Sequence, residues 1–368
     1  MNIVITGSSG FIAKNLIATL QSIDQHQLFF ITRQTSNEEL KSALQQADFL
    51  FHLAGVNRPN DKNEFYHGNQ DFTKHLVELL TECNKSISIV FSSSTQVQLN
   101  NDYGKSKKAA EEILEQYAKS NHSRLAIYRL PGVFGKWSQP HYNTVVATFC
   151  HQIANQEPIQ VSDPSKIIDL VYIDDVIHQF LDELKAGKKE ISYPEIVSVY
   201  SVSLGKLAHE IQSFHSSKES HLIRNTESGF IKKLFATYTS FLPSVRLKTT
   251  IHGHRTPNSS FAELLKSNSF GQISLNSIEA GAVRGNHWHH TKHEKFLVIQ
   301  GEGIIRLRLL FSKDVMEFNV SGQHLEWIEI PPGYVHNIEN TGSDSLITIM
   351  WANEIYNPER PDTYPEVV

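Results

Sequence analysis

Two groups of residues in this chain are spaced for chemistry. In GAVRGNHWHHTKHEKFLVIQG, from Gly281 to Gly301, His287 and His289 lie two apart, so on one β-strand their rings point to the same face. Glu294 follows and leads into the β-forming run Phe296-Leu297-Val298-Ile299. His336 stands in PPGYVHNIEN, a Pro/Gly turn feeding another short strand. Three imidazoles and one carboxylate converging inside a β-sandwich make a mixed N/O site for a divalent transition ion. Iron, manganese and nickel also accept such a set, but zinc is the ion expected. The second group is Ser94, closing the run Phe91-Ser92-Ser93-Ser94, with Tyr103 and Lys107 at a spacing that shares one helix face. An ammonium near a phenol favours phenolate and lowers a tyrosine pKa from its usual ~10. Tyr103 would then exchange a proton with a sugar oxygen, and Ser94 would hydrogen-bond the same oxygen. The plainer alternatives are histidines in a His-rich chain, which has 19 of them, and a chance Tyr-x3-Lys.

The elements that must position these groups follow from the pattern. Asn2 to Thr6 is a β-branched run ending in Gly7-Ser8-Ser9-Gly10-Phe11-Ile12-Ala13, and Ile12, Leu16, Ile17 and Leu20 continue it as an amphipathic helix. This is the strand–turn–helix entry of a dinucleotide-binding sheet, in which Gly7 permits the tight turn and Gly10 lets backbone approach a pyrophosphate. Phe11 and Ile12, opening the helix, belong to the same cofactor cradle. Apolar runs at Leu28–Ile31, Phe49–Leu53, Ile87–Phe91 and Leu125–Tyr128 alternate with helical segments, as a parallel sheet requires. Leu53, Ala54 and Gly55 end one of those strands beside the cofactor. Arg33, at the end of the second strand, favours the 2′-phosphate of NADPH over the free ribose of NADH, the alternative being a solvated arginine. Asp48 is either an adenine contact or an exposed loop acid. Helices are expected at Leu204–Phe214 and Ile231–Leu242, with Pro243 stopping the second, and His215 to Thr226 reads as the least ordered stretch. Beyond Arg246 the sequence turns to short strands with Gly and Pro punctuation. The tail Asn357–Val368 carries three prolines and reads as an extended strap.

A chain of 368 residues is long enough for two cores. Its net charge of −5 argues against a nucleic-acid partner, and no apolar run is long enough for a membrane span. The N-terminus runs straight into a strand with no basic leader, and Cys83 and Cys150 have no framework spacing. Both features suit the cytoplasm.

Several resemblances now have residues behind them. The spacing Gly-x5-His-x-His-x4-Glu-x6-Gly, then Pro-x-Gly-x2-His-x3-Asn, resembles both halves of the cupin motif, with Leu325 where the second half usually has Gly. Gly-x2-Gly-x2-Ala resembles the short-chain dehydrogenase/reductase fingerprint, with Ala13 in place of a third Gly. Asn69, the segment Arg129 to Gly135 and the junction Leu170 to Val176 resemble the extended reductases of nucleotide sugars. In that likeness Asn69 is an active-site residue (a helix cap being the alternative), Pro131 flanks the nicotinamide, and Gly132 replaces a common Asn. The two modules, their order and the run NHWHHTKHEKFLV…MWANEIYNPERPDTY together resemble the CapF family of capsular polysaccharide enzymes. The resemblance implies an α/β Rossmann-type extended short-chain reductase, residues 1–245, followed by an all-β cupin jelly roll, residues 246–368. It implies C3 epimerisation of a UDP-4-keto-6-deoxy amino sugar in the cupin and C4 reduction with NADPH. Tyr103 would protonate O4, Lys107 would hold the nicotinamide ribose, and Ser94 would orient the ketone. His290, His293 and Lys295 are candidate linings of the epimerase site, and a homodimer is expected by analogy. Two rival readings are a reductase with a purely structural cupin and a nucleotide-sensing regulator.

Overall fold

The β-branched run Asn2–Thr6 forms β1, and among the described residues of the N-terminal part it is followed by β2 (Gln27–Ile31), β3 (Phe49–His52), β4 (Ser88–Ser94), β5 (Leu125–Leu130), β6 (Gly132–Phe134), β7 (Ile167–Tyr172), β8 (Ile191–Ser192) and β9 (Tyr200–Ser203). The structure is a computed structural model describing residues 1–368 except 24, 60, 143, 188, 189 and 224–227. One sheet has the order β2-β1-β3-β4-β5-β8, all parallel, and a smaller one has β6-β7-β9. Strands β1 and β3–β5 are apolar on both faces because both faces are covered by helices. Val4, Leu50, Ile89 and Ile127 pack in one core, while Ile3, Ile5, Phe51, Val90 and Ala126 pack in the other. Strand order reverses between β1 and β3, and an open α/β sheet binds its ligand at the carboxyl ends of such a switch point.

The chain divides into two compact units, Met1–Gln212 with Gly229–Pro243, and Ser213–Ser228 with Ser244–Val368. In the second unit the strands are β10 (His254–Thr256), β11 (Ser259–Ser267), β12 (Gly271–Ile278), β13 (Val283–Trp288), β14 (Glu294–Gln300), β15 (Glu302–Leu309), β16 (Val315–Ser321), β17 (Trp327–Ile330), β18 (Tyr334–Asn340), β19 (Leu346–Ala352) and β20 (Tyr364–Pro365). They form two antiparallel sheets, β10-β11-β12-β19-β14-β17 and β16-β15-β18-β13-β20. Ile278, Phe296 and Val298 from the first meet Ile305, Leu307 and Ile338 from the second in a single core. That is a cupin-like sandwich.

Some boundaries differ from the sequence reading. The helix expected at Leu204–Phe214 runs on to Glu219, absorbing much of the stretch that reads as least ordered, whose residues 224–226 lie outside the described ones. The other helix spans Gly229–Thr239 and closes in a turn before Pro243. Among the described residues no helix is long and apolar enough to cross a membrane.

Candidate active sites

At the switch point, Gly7 has a left-handed φ of 65°, and a Cβ there would stand 2.7 Å from the Ala54 Cα. Only glycine lets the β1 turn close on the Leu53-Ala54 backbone. Gly10 donates to the Gly7 carbonyl at 2.8 Å, and a Cβ on Gly10 would meet that oxygen at 3.0 Å. Phe11 and Ile12 open the helix Phe11–Ile23 and pack partly against the core, and the Ala13 methyl is buried in the same cluster. Gly55 is bare where a side chain would meet the Asn69 Oδ1 at 2.9 Å and the Lys107 Nζ at 3.5 Å. This glycine-lined cradle, with the first turn of a helix facing it, fits a dinucleotide pyrophosphate. Arg33 is exposed just past β2, beside the Thr32–Thr35 turn. Asp48 instead accepts from the Asn2 amide at 2.7 Å, which settles it as a loop acid.

Asn101 caps the helix Asp102–Asn121 through Gly104, and that helix carries Tyr103 and Lys107. Ser94, at the end of β4, lies close enough to Tyr103 to act on its pKa. Sequence reasoning expects Lys107 to lower the Tyr103 pKa. In the structure burial raises it, Ser94 opposes, and Tyr142 adds to the rise. Lys107 is itself buried, 4 % exposed, with its ammonium 4.2 Å from the Phe91 ring centroid. Burial pulls its pKa down to about 7 against the pull of Glu111. Pro131 follows β5, and at Gly132 a Cβ would stand 3.1 Å from the Asp169 carbonyl, a tight approach.

Beneath this site lies a relay of buried polar groups that sequence spacing does not expose. The Thr73 hydroxyl donates to the Asn69 carbonyl at 2.5 Å, so it accepts from the His52 Nε2 at 2.9 Å. His52 Nδ1 then accepts from the Thr6 hydroxyl at 2.8 Å, whose oxygen takes the Leu53 and Ala54 amides at 3.2 Å each. Burial, and then the charge of Lys107, push the His52 pKa down to about 3, so the ring is neutral. Asn69 is not a helix cap. Its amide accepts from the Val56 N–H at 2.8 Å and donates to the Val56 carbonyl and the Ser106 hydroxyl, both at 2.9 Å. Asn69 thereby fixes the loop after Gly55.

In the second unit, His287, His289, Glu294 and His336 bring one ligand atom each within 4.8 Å of one another. Gly285, with φ 100°, and Asn286, with φ 57°, bulge β13 against β18 and set His287 opposite His336. His289 Nδ1 donates to the Asp362 carbonyl at 2.5 Å, and His336 Nδ1 to the Tyr334 carbonyl at 3.2 Å. Those bonds free both Nε2 atoms, which stand 3.3 and 3.4 Å from the Glu294 Oε2. The two nitrogens are buried without hydrogen-bond geometry to any partner, a spacing suited to two ligands of one ion rather than to a bond between them. Burial would raise the Glu294 carboxyl, but His289 and His336 overcome it and hold it far below the usual range. Burial brings His287 to about 4, with His336 and His289 adding to the fall. A neutral His287 and an ionised Glu294 are in the states a transition ion needs of its ligands.

The candidate lining residues fall outside this pocket. Strand alternation turns Lys295 to the sheet face opposite Glu294, where Lys295 and His293 share Glu329 at 2.7 and 2.5 Å. His290 is exposed against Trp288 and Tyr364. Leu325 is likewise exposed on its turn. The strap carries a residue that sequence reasoning misses. The Asp362 carboxylate accepts the amides of His290, Thr291 and Lys292, each at 2.9 Å, while β20 pairs with His287 and Trp288.

Fold and sites together define a dinucleotide-dependent short-chain reductase joined to a cupin-like domain with a candidate metal-ligand cluster. Residues 3–194 match the NAD dependent epimerase/dehydratase family, and residues 254–364 match the polysaccharide biosynthesis C-terminal domain. The chain is 38% identical over 364 residues, 99% of its length and 98% of the relative's, to a UDP-2-acetamido-2,6-beta-L-arabino-hexul-4-ose reductase of Pseudomonas aeruginosa. It is 43% identical, with TM-score 0.94 and complete coverage of both chains, to the crystal structure of the capsular polysaccharide assembling protein CapF from Staphylococcus aureus. The chain belongs to the CapF family. A UDP-glucuronic acid 4-epimerase from Bacillus cereus, 19% identical over 59% of this chain and 83% of its own with TM-score 0.53, shares the N-terminal fold alone.

Proposed function

We propose that this enzyme converts UDP-2-acetamido-2,6-dideoxy-β-L-arabino-4-hexulose in two steps, C3 epimerisation followed by C4 reduction, giving UDP-2-acetamido-2,6-dideoxy-β-L-talose. The observation that carries the reading is the presence, in one chain, of a complete reductase constellation and a preorganised three-His, one-Glu site, in a protein similar end to end to the Pseudomonas aeruginosa reductase. The order follows from the chemistry. A C4 ketone acidifies the C3 hydrogen, so the centre can invert only while the ketone persists, and reduction locks the result.

In the reductase, Gly7, Gly10, Phe11, Ile12, Leu53, Ala54, Gly55 and Pro131 would hold NADPH, with Arg33 at the 2′-phosphate. The reduced nicotinamide, when bound, supplies hydride. Tyr103 would give its phenolic proton to O4 while the Ser94 hydroxyl fixes the ketone oxygen. Lys107, already close to Gly55, would hold the ribose, and a phosphate-bearing cofactor beside it would restore the charge that burial disfavours. In the cupin, His287, His289, Glu294 and His336 would hold one divalent ion, zinc by donor chemistry. Such an ion, when bound, would supply Lewis-acid polarisation of a substrate oxygen. We assign residues 1–245 to the reductase and 246–368 to the metal-binding domain, although Ser213–Ser228 packs with the latter unit. A cytoplasmic homodimer fits this role. Incubation with the 4-keto sugar nucleotide and NADPH, followed by NMR of the product, tests the assignment. The talo product supports it; a product reduced at C4 with C3 unchanged leaves the cupin without its proposed activity.

A further inference from the structure

Outside both sites, a second set of metal-type donors lies in the N-terminal unit. His141, His151 and Glu157 each bring a ligand atom within 4.8 Å of the others. They come from three pieces of one local motif: the loop before the helix Val145–Ala154, the last turn of that helix, and the turn after it. His141 has a left-handed φ of 56°, and its amide donates to the Thr148 hydroxyl at 3.0 Å, which in turn donates to the Thr144 carbonyl at 3.0 Å. Gln156 is left-handed too, with φ 61°, and the Glu157 amide returns to the Gln152 carbonyl at 2.8 Å. Backbone geometry thus aims a loop residue and a post-helix residue at the same helix end.

Three features point to a cation. The two rings stand edge to face with centroids 5.7 Å apart, yet no hydrogen bond or ion pair joins His141, His151 and Glu157 to one another. Donors bound at about 2.0–2.2 Å to one zinc-class ion stand roughly 3.4 Å apart in a tetrahedron; His141 and Glu157 are exposed, so small rotamer changes close the remaining gap. The site also lies at the carboxyl end of a helix, where the backbone dipole is negative and cations are favoured. Two imidazoles and a carboxylate are borderline-to-hard donors, suited to zinc and to its transition-metal neighbours rather than to magnesium or calcium.

We propose that His141, His151 and Glu157 form a second, exchangeable site for a zinc-class divalent ion, which ties down the loop flanking the reductase tyrosine. Tyr142, next to His141, contributes to the shift of Tyr103, and Arg58 donates to the carbonyls of both His141 and Tyr142, at 2.9 Å for the former. With one fewer protein ligand and two exposed donors, the site binds zinc more weakly than the cupin centre.

The test is a zinc titration of the chelator-stripped full-length protein against a chromophoric competitor, with amide hydrogen exchange followed over residues 138–142. Wild type takes up two equivalents, one tight and one weak. His141→Ala/His151→Ala keeps only the tight one, and His287→Ala/His336→Ala keeps only the weak one. The second equivalent slows exchange in the loop of the wild type but not of His141→Ala/His151→Ala. Melting of each variant in chelator reports its fold independently of zinc. A single equivalent on wild type, or a weak site that survives in His141→Ala/His151→Ala, overturns the site. Unchanged loop exchange at full occupancy overturns the tie to the reductase loop.

Discussion

At the scale of single residues the two sites make separable demands. Tyr103 is a phenol whose pKa Ser94 draws down against burial, so Tyr103→Phe is expected to cut NADPH oxidation by about 10²–10⁴-fold, the range of a lost general acid. Exchange of the C3 hydrogen with deuterated solvent continues in that variant; loss of both activities together would contradict separate sites. Lys107 makes a prediction about stability. Its pKa is about 7 in the folded protein against 10.5 ordinarily. Between those values the unfolded chain binds a proton that the folded chain does not, so stability rises with pH through that window. The burial penalty is fully present below about pH 7 and gone above the ordinary lysine value. Lys107→Met is therefore expected to melt several degrees higher than cofactor-free wild type near pH 7, with the gap closing toward pH 10; parallel melting curves would refute it. The reactive residues were legible in the sequence because fixed spacing on one element becomes a shared face. Tyr103 with Lys107 on a helix is of that kind; His287 lies within β13, whereas His289 stands just past the end of that strand. The direction of the Tyr103 shift was not legible, since it depends on burial, which no local pattern reports.

At the scale of elements, the strap shows what spacing cannot reach. His289 takes its second bond from Asp362, 73 residues away, and the only cue in the sequence is a proline-rich tail. A histidine whose far nitrogen is fixed by a carbonyl has its tautomer and aim set for metal binding, and loss of such a partner typically costs 10–100-fold in affinity. Asp362→Ala keeps the backbone carbonyl that His289 donates to but leaves the amides of His290, Thr291 and Lys292 without their common acceptor, which frees the strap that places that carbonyl; zinc affinity is expected to fall, by at most about 10–100-fold, in chelator competition. A change smaller than about twofold would show that the strap does not hold the ligand. The relay Thr6–His52–Thr73 plays the matching part in the first unit, tying β1, β3 and the Asn69 segment together. His52→Ala removes a fully buried ring, and with it the acceptor of the Thr6 hydroxyl proton and the N–H donated to Thr73, a loss of about 2–4 kcal/mol by denaturant unfolding. Strand positions were readable from apolar runs, whereas the helix beyond Phe214 was not, because its last turns are polar and depend on tertiary packing for their shape.

At the scale of the whole molecule, the pairing of a Rossmann-type unit with a cupin-like unit was legible from motif order, because each motif needs its own fold to bring its residues together. The chemistry explains why the two belong in one chain. The first step needs the ketone that the second destroys, so product stereochemistry depends on epimerisation preceding reduction. Running the reaction with the 4-keto sugar nucleotide and NADPH in deuterated water reads both steps at once. The account predicts solvent deuterium at C3 of the talo product, one NADPH consumed per molecule formed, and no C3 label after the cupin ion is stripped from still-folded protein. NADPH consumption with protium retained at C3, or C3 labelling that survives removal of the ion, would contradict it.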